Sequence, residues 1–381
     1  MKSDKTTPNV PTLRFPNYNG EWQKTVMGKV CSFRKGYGIA KDDLSRGGTP
    51  CILYGELYTT YKTAIAKTIK SKTSIQSKSL VYSQKDDVII PCSGETAEDI
   101  ATSICVPYDG VLLGGDLTIV HSDLDGAFLS NQINSVRKFD IARIAQGKSI
   151  VHLQADELKK IFIFYPSIQE QRKISAFIDK IDERIEIQNK IIEDLKVLKK
   201  ELNYSLIGRI INGKSSNCKI EDVIDYEQPT NYIVKSDKYI ENGETPVLTA
   251  NKAFLLGYTI ENEGVYNKSD CIILDDFTLD FKYVNFPFKI KSSAIKILTA
   301  KKDIELRYFY EYLLFLGLTS HEHKRHYISE IAPLPLYLPS IDEQRNALSV
   351  LNSISKKIKV EENYISALKA QKCFFLRAMF I

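Results

Sequence analysis

PSIQEQRKISAFIDKIDERIEIQNKIIEDLKVLKKEL opens the stretch Pro166–Leu206, and PSIDEQRNALSVLNSISKKIKVEENYISALKAQKCFFL opens Pro339–Met379, 173 positions later. The two superimpose without a gap. Each begins with Pro and then Ser-x-x-Glu, as Ser167/Glu170 and Ser340/Glu343. That spacing predicts a capping box, in which the serine oxygen accepts an early helix amide and the glutamate reaches back to the cap. Apolar residues then recur every three or four positions: Ile174, Ile178, Ile181, Ile185, Ile192, Leu195, Leu202 and Leu206 in the first copy. The second copy has Ala347, Leu351, Ile354, Ile358, Ile365, Leu368, Phe375 and Met379. The 4-3-4-3 spacing is a heptad seam, so each copy reads as a long helix with a stripe to bury. Both seams are interrupted at matching places, Gln188/Glu361 and Lys199/Lys372. The simplest expectation is one intramolecular antiparallel coiled coil. Each helix covering its preceding domain, or pairing with another chain, is the alternative. At about 1.5 Å per residue, roughly 35 to 40 helical residues span about 50–60 Å, the length of a spacer.

The chain around these helices has 381 residues, 43% hydrophobic and 26% charged, which is enough for two or more packed domains. No apolar run approaches the roughly 18 residues of a membrane span. The opening MKSDKTTPNVPTLRFP has no apolar signal-peptide centre. Seven scattered cysteines include no Cys-x-x-Cys, and the five histidines complete no zinc spacing with them. A reduced, cytoplasmic setting is expected. A net charge of +5 permits a polyanionic partner without demanding one.

Taken in order, residues 1–20 read as a loose arm until Leu13–Phe15 docks. Strand-like runs follow at Val26–Phe33, Pro50–Tyr54, Leu80–Tyr82, Asp87–Pro91 and Gly110–Val120. Arg34–Gly48 reads as one long glycine-punctuated loop, Gly126–Ile144 as helical, and Ile161–Tyr165 as a strand leading into Pro166. After a linker at Ile207–Asn217 a second strand-rich region echoes the first. Lys219–Val223 parallels Val26–Val30, and Thr245–Thr249 parallels Thr49–Leu53. The expected fold is α+β: two strand-rich domains separated by two long spacer helices, with a pseudo-two-fold internal repeat. The boundaries are 1–165 for the first recognition domain with its arm and 166–212 for the first spacer. The second domain takes 213–338 and the second spacer 339–381.

Two like modules joined by a rod suit a ligand with two separated recognition points, and duplex DNA presents half-sites about one turn (~34 Å) apart. The tandem Pro-Ser-Ile-x-Glu-Gln-Arg helices resemble those of the specificity (S) subunit of type I restriction–modification systems. The opening Pro11-Thr-Leu-Arg-Phe-Pro16 with Gly20-Glu-Trp22 resembles that family too. The resemblance covers essentially the whole chain. It implies a subunit without catalysis that binds an asymmetric bipartite double-stranded DNA site. It also implies two adenine-N6 methyltransferase (M) subunits and restriction (R) subunits as partners. S-adenosylmethionine would belong to M, and ATP with Mg to R, with no cofactor in this chain.

The residues offer no rival chemistry. Asn285-Phe-Pro-Phe288 superficially resembles an adenine methyltransferase motif, but its first proline is missing and no glycine-rich cofactor loop accompanies it. Cys92 after Pro91 reads as a small buried hydrophobe, and the adjacent Asp275 and Asp276 of a strand face opposite ways. No catalytic residue and no metal site is expected. The candidate DNA contacts in the first domain are Arg34, Lys35, Tyr37, Lys41, Arg46, Tyr61, Lys62, Lys148 and Ser149. In the second they are Asn251, Lys252, Tyr258, Lys324, Arg325 and His326. Each basic residue taken alone reads more readily as a solvated surface charge, and the run Lys67–Lys78 equally as a loop. Two other classes stay open. One is a coiled-coil adaptor that binds only protein; the other is a methyltransferase or nuclease carrying its own recognition module.

Overall fold

The computed structural model describes residues 9–77, 79–147, 151–251, 253–320, 322 and 324–381. The chain divides into two compact units, Met1–Asn189 with Asn363–Ile381, and Lys190–Glu362. Both long helices, Ile168–Ile211 and Ile341–Ala378, run unbroken from one unit into the other.

In the first unit the strands are β1 (Gln23–Val26), β2 (Cys31–Lys35), β3 (Leu44–Ile52), β4 (Ser71–Thr73), β5 (Asp87–Pro91), β6 (Ser93–Gly94), β7 (Ile104–Val106), β8 (Leu112–Leu113), β9 (Leu117–Ser122), β10 (Val151–His152) and β11 (Phe162–Tyr165). The main sheet is antiparallel in the order β2-β9-β5-β7, beside a three-stranded sheet β4-β3-β8 whose β3 and β8 run parallel. The apolar run of β5, residues 88–91, has a direct cause. Val88 and Ile90 face the core holding Met27, Leu129 and Ile133, while Ile89 faces the one holding Ile52, Leu57 and Leu113. A strand covered on both faces needs no polar alternation.

The second unit has β12 (Cys218–Lys219), β13 (Ile224–Glu227), β14 (Thr245–Leu248), β15 (Leu255–Thr259), β16 (Cys271–Asp275), β17 (Phe281–Val284), β18 (Lys289–Ile290), β19 (Ile295–Ala300) and β20 (Pro335–Leu336). Its sheets are β13-β19-β16-β17 and β15-β14-β18, with β14 parallel to β18. These two sheets, and the pair β12-β20, match β2-β9-β5-β7, β4-β3-β8 and β1-β11 of the first unit, while β6-β10 has no counterpart among the described strands. Ile272 and Leu274 face one core, Cys271 and Ile273 the other, so even the two-sided burial of the central strand is repeated.

Several local readings are corrected: Leu80–Tyr82 forms only a bridge from Tyr82 to Leu112, and Gly110–Val120 holds two strands, β8 and β9. Val26–Phe33 is not one strand, because Met27–Val30 forms a helical turn whose amides at Met27 and Gly28 bond to the carbonyls of Ile161 and Lys159. Arg34–Gly48 is not one loop: it contains a 3-10 turn at Lys41–Asp43 and the start of β3, which bulges between Leu44 and Thr49 opposite Thr73. Gly126–Ile144 is two helices, Gly126–Asn134 and Lys138–Ile144.

The long helices pair antiparallel. In the first unit Ile174 and Ile178 share a core with Met379 and Phe380, and the Phe177 and Phe375 rings meet edge-on at 4.8 Å. In the second unit Ile207 shares a core with Ala347 and Leu348, at the opposite ends of the same two helices. Of the seam, Ile178, Ile181, Ile192, Leu351, Ile358, Ile365 and Leu368 are buried, and Ile185, Leu195 and Ile354 half-buried. The interrupting lysines find acids: Lys372 Nζ lies 2.5 Å from Asp182 Oδ1, and Lys199 Nζ 2.8 Å from Glu311 Oε1. The N-terminal arm docks on the first unit through Leu13, whose amide donates to the Ala378 carbonyl, and through buried Trp22, packed 5.6 Å from Phe128.

Each domain is fastened to its helix by the glutamine of the Glu-Gln-Arg motif. Gln171 Nε2 donates to the Pro166 carbonyl and its Oε1 accepts the Asp125 amide. Gln344 repeats this, donating to the Pro339 and Asp303 carbonyls and accepting the Glu305 amide. Both are buried. At the second helix Ser340 and Glu343 exchange the reciprocal bonds of a capping box. At the first, the Glu170 and Gln171 amides bond to the Ser167 carbonyl, and the Glu170 carboxylate turns to Arg14, which clasps it at 2.7 and 2.8 Å. A bidentate guanidinium is a stronger partner than a serine amide.

Candidate nucleic-acid interface

One end of the first domain gathers its loops. β2 finishes there with Lys35 opposite Thr118, β5 with Pro91 opposite Leu117, and β9 begins. β3 and β8 finish alongside, since the Gly114 amide donates to the Ile52 carbonyl and the Tyr37 amide to the Leu113 carbonyl. The crossing is so tight that a Cβ on Gly36 would stand 2.0 Å from the Gly114 carbonyl oxygen, which only glycine permits. The second domain ends the same way: Lys291 donates its amide to the Leu248 carbonyl and Val234 to the Ile290 carbonyl.

Several sequence candidates meet at these ends. Lys35 and Tyr37 are exposed there, and Lys41 is exposed on the turn that follows. Arg46 is exposed on the bulge of β3. Lys148, Ser149 and Lys252 lie outside the described residues, although the bases of the loop holding the first two are paired, Gln146 with His152. Asn251 is exposed in the β14–β15 connection, where its side chain accepts the Ala253 amide. Tyr258 is half-buried in β15 and exchanges backbone bonds with Ile240.

Other candidates are engaged within the protein. Arg34 is held 2.6 Å from the fully buried Asp87, which also meets His121 at 2.8 Å. Tyr61 is buried, its hydroxyl taken by the Lys70 amide, and exposed Lys62 stands with it beside the groove facing Asp179, Asp182 and Glu183 of the first long helix. Lys67 spans that groove, at 2.6 Å from Asp179 and 2.9 Å from Glu183, and with Lys180 it holds the Glu183 carboxyl down at about 2. Lys324 is clasped by Glu322 and Glu330, which push its pKa up. His326 is buried; its Nδ1 meets Glu330 at 2.8 Å and its Nε2 the Glu322 carbonyl at 3.2 Å. The Glu330 contact raises its pKa above 6.5.

The sequence reading left Ser93 and His152 unassigned. At the loop end of the first domain they stand 3.1 Å apart, over a cleft of about 660 Å³ lined also by Lys35, Asp116 and Gln154. Their signal was faint, one histidine after a basic loop. Cys92 is half-buried on the same cleft rather than fully buried; burial pushes its thiol up, and it contacts Thr118 Oγ1 at 3.1 Å. Asp275 accepts the Phe277 and Thr278 amides, and Asp276 those of His326 and Tyr327, so both acids hold turns. Phe288 of the Asn285–Phe288 stretch is buried against Tyr266. Among the described residues no group of three or more His, Cys, Asp or Glu could hold a metal ion, and no helix is long and apolar enough to cross a membrane.

Residues 19–197 match the family described as type I restriction modification DNA specificity domain. The specificity subunit of a type I restriction enzyme of Escherichia coli is 40% identical over 139 residues, 35% of this chain and 34% of that one. The match therefore spans about a third of that relative's length. Among solved structures, the S subunit of a type I restriction–modification system from M. genitalium aligns over 98% of this chain and 99% of that one, with a TM-score of 0.62 and 17% identity. A chain from a study of complex assembly and conformational transition in the type I system aligns over 93% and 96%, at 0.57 and 16%. These likenesses carry the fold across both units, and the sequence match to the type I restriction modification DNA specificity domain extends over residues 19–197.

Proposed function

We propose that the chain is the DNA sequence-recognition subunit of a type I restriction–modification complex, binding a bipartite asymmetric site with one half-site per domain. The observation that carries this is the duplication of the two main sheets, in which equivalent loops gather at the same end of each domain with unlike side chains upon them. Identical frames with different loops suit two half-sites of different sequence. The chain serves as a scaffold for two adenine-N6 methyltransferase subunits and for restriction subunits. S-adenosylmethionine and ATP with Mg reside on those partners, and the complex works in the cytoplasm. Lys35, Tyr37, Lys41, Arg46, Asn251 and Arg325, exposed on the loops or the β3 bulge, are the contacts to DNA we favour, with Tyr258 at their margin.

The test is the methylation pattern of DNA from cells expressing this chain with its M subunit, mapped at single-base resolution. A bipartite motif with N6-methyladenine in each half and a fixed gap is expected. A stable complex with M that yields no motif overturns DNA reading and leaves the protein-binding adaptor.

A further inference from the structure

The hydrogen bonds of the duplicated domains allow residues to be matched one to one. In the first domain the Cys92 amide donates to the Asp116 carbonyl, and the Leu153 amide to the Cys92 carbonyl. In the second, the Asp276 amide donates to the Ala294 carbonyl, and the His326 amide to the Asp276 carbonyl. Counting one residue from these anchors, Ser93 corresponds to Phe277 and His152 to Arg325. The pair occupies one place in the fold and has opposite chemistry in the two copies. Ser93 Oγ and His152 Nδ1 are 3.1 Å apart, a hydrogen bond between a hydroxyl and an imidazole. The Arg325 guanidinium carbon instead lies 5.7 Å from the centre of the Phe277 ring. Both His152 and Arg325 are exposed, at the loop-bearing end of their domains.

Of the three consecutive basic residues Lys324, Arg325 and His326, the first is tied to Glu322 and Glu330 and the last is buried with both ring nitrogens engaged. Among the described residues no acid stands within ion-pair reach of Arg325. A guanidinium resting on an aromatic ring is held in place while its edge keeps donors for a partner. The partner that matches two parallel donors in a DNA groove is guanine, through O6 and N7. An imidazole already bonded to a serine presents one remaining ring nitrogen, and cannot reproduce that fork.

We propose, resting on the DNA-reading function above, that this pair of positions reads a base in each domain. Arg325, propped by Phe277, reads a guanine in the second half-site. His152 with Ser93 reads a different base at the matching place in the first.

The test is the single-base methylation motif of cells expressing the chain with its M subunit, for the native protein, Arg325→Ala, Arg325→Lys and the double change Ser93→Phe with His152→Arg. Arg325→Ala is expected to lose guanine at one position of one half-site, with discrimination there falling about 5- to 150-fold, and to leave the other half-site intact. Arg325→Lys keeps the charge but not the fork, and relaxes the same position. The double change installs a guanine preference in the other half-site. An Arg325→Ala motif identical to the native one, with methylation lower at every site, makes Arg325 a phosphate contact and overturns the assignment. If Arg325→Ala fails to fold, an unrelaxed motif in Arg325→Lys overturns it equally. Absence of any motif from the native complex overturns DNA reading itself, a different failure.

Discussion

His326 shows how one side chain can look like a ligand-binding group and serve the fold. Its Nδ1 faces the Glu330 carboxylate and its Nε2 the Glu322 carbonyl and Ser320 Oγ at 2.7 Å, whose own hydrogen goes to the Glu322 carbonyl, so acceptors on both sides favour the doubly protonated ring. Its folded pKa is therefore raised above the ordinary 6.5. The sign follows: the protonated ring adds stability that is fully present below about 6.5 and is lost as pH rises through the raised folded value. An NMR titration should place His326 above 6.5, and Glu330→Gln should bring it down. A native value at or below 6.5 would contradict the geometry. Gln171 and Gln344 are the other residues whose removal should be felt. Each truncation to alanine strands a buried amide and a buried carbonyl, and is expected to cost about 1–3 kcal/mol in chemical unfolding. A change within experimental error at either would mean that water replaces the side chain freely.

At the level of elements the seam and the arm can be probed separately. Ile178→Ala or Leu351→Ala should destabilise by about 2–5 kcal/mol, because both sites are closed on all sides. Ile187→Ala, at 61% exposed on the same helix, should change stability by less than about 0.5 kcal/mol. Equal losses would place the pairing face elsewhere. Arg14→Ala leaves the Glu170 carboxylate, 1% exposed, without its partner. A loss of about 3 kcal/mol is expected, read from the denaturant midpoint and from faster proteolysis of the arm. The helices were legible in the sequence because a heptad stripe is a periodic signal repeated over many turns. The central strands were legible because a strand buried on both faces carries an apolar run, as residues 88–91 and 271–274 do. The helical turn at Met27–Val30 was not, since its cause is a distant pair of carbonyls at Lys159 and Ile161. The candidate site was read less well for a similar reason. Arg34, Tyr61 and Lys324 have the composition of contact residues, and only tertiary partners reveal that Asp87, Lys70 and Glu322 already engage them.

For the whole molecule, independence of the two domains is the property to test. Exchanging residues 22–165 for another recognition domain should change one half-site of the methylation motif and leave the other alone. Loss of both would mean that the halves are read jointly. Inserting one heptad in a spacer helix should alter the preferred gap between half-sites without altering the bases, and an unchanged gap would remove the helices' role in spacing. Such independence has a foundation in the joint itself. Gln171 meets its domain through the Asp125 amide and the Pro166 carbonyl, and Gln344 through the Glu305 amide and the carbonyls of Asp303 and Pro339. All of these are main-chain atoms, which every amino acid supplies alike save proline, which lacks the N–H. These bonds therefore ask little of the domain's side chains, although Asp125 also takes the Ser175 hydroxyl and Glu305 pairs with Arg345. Mutation can rewrite a reading surface, or recombination trade it whole, while heredity passes on the socket that receives it.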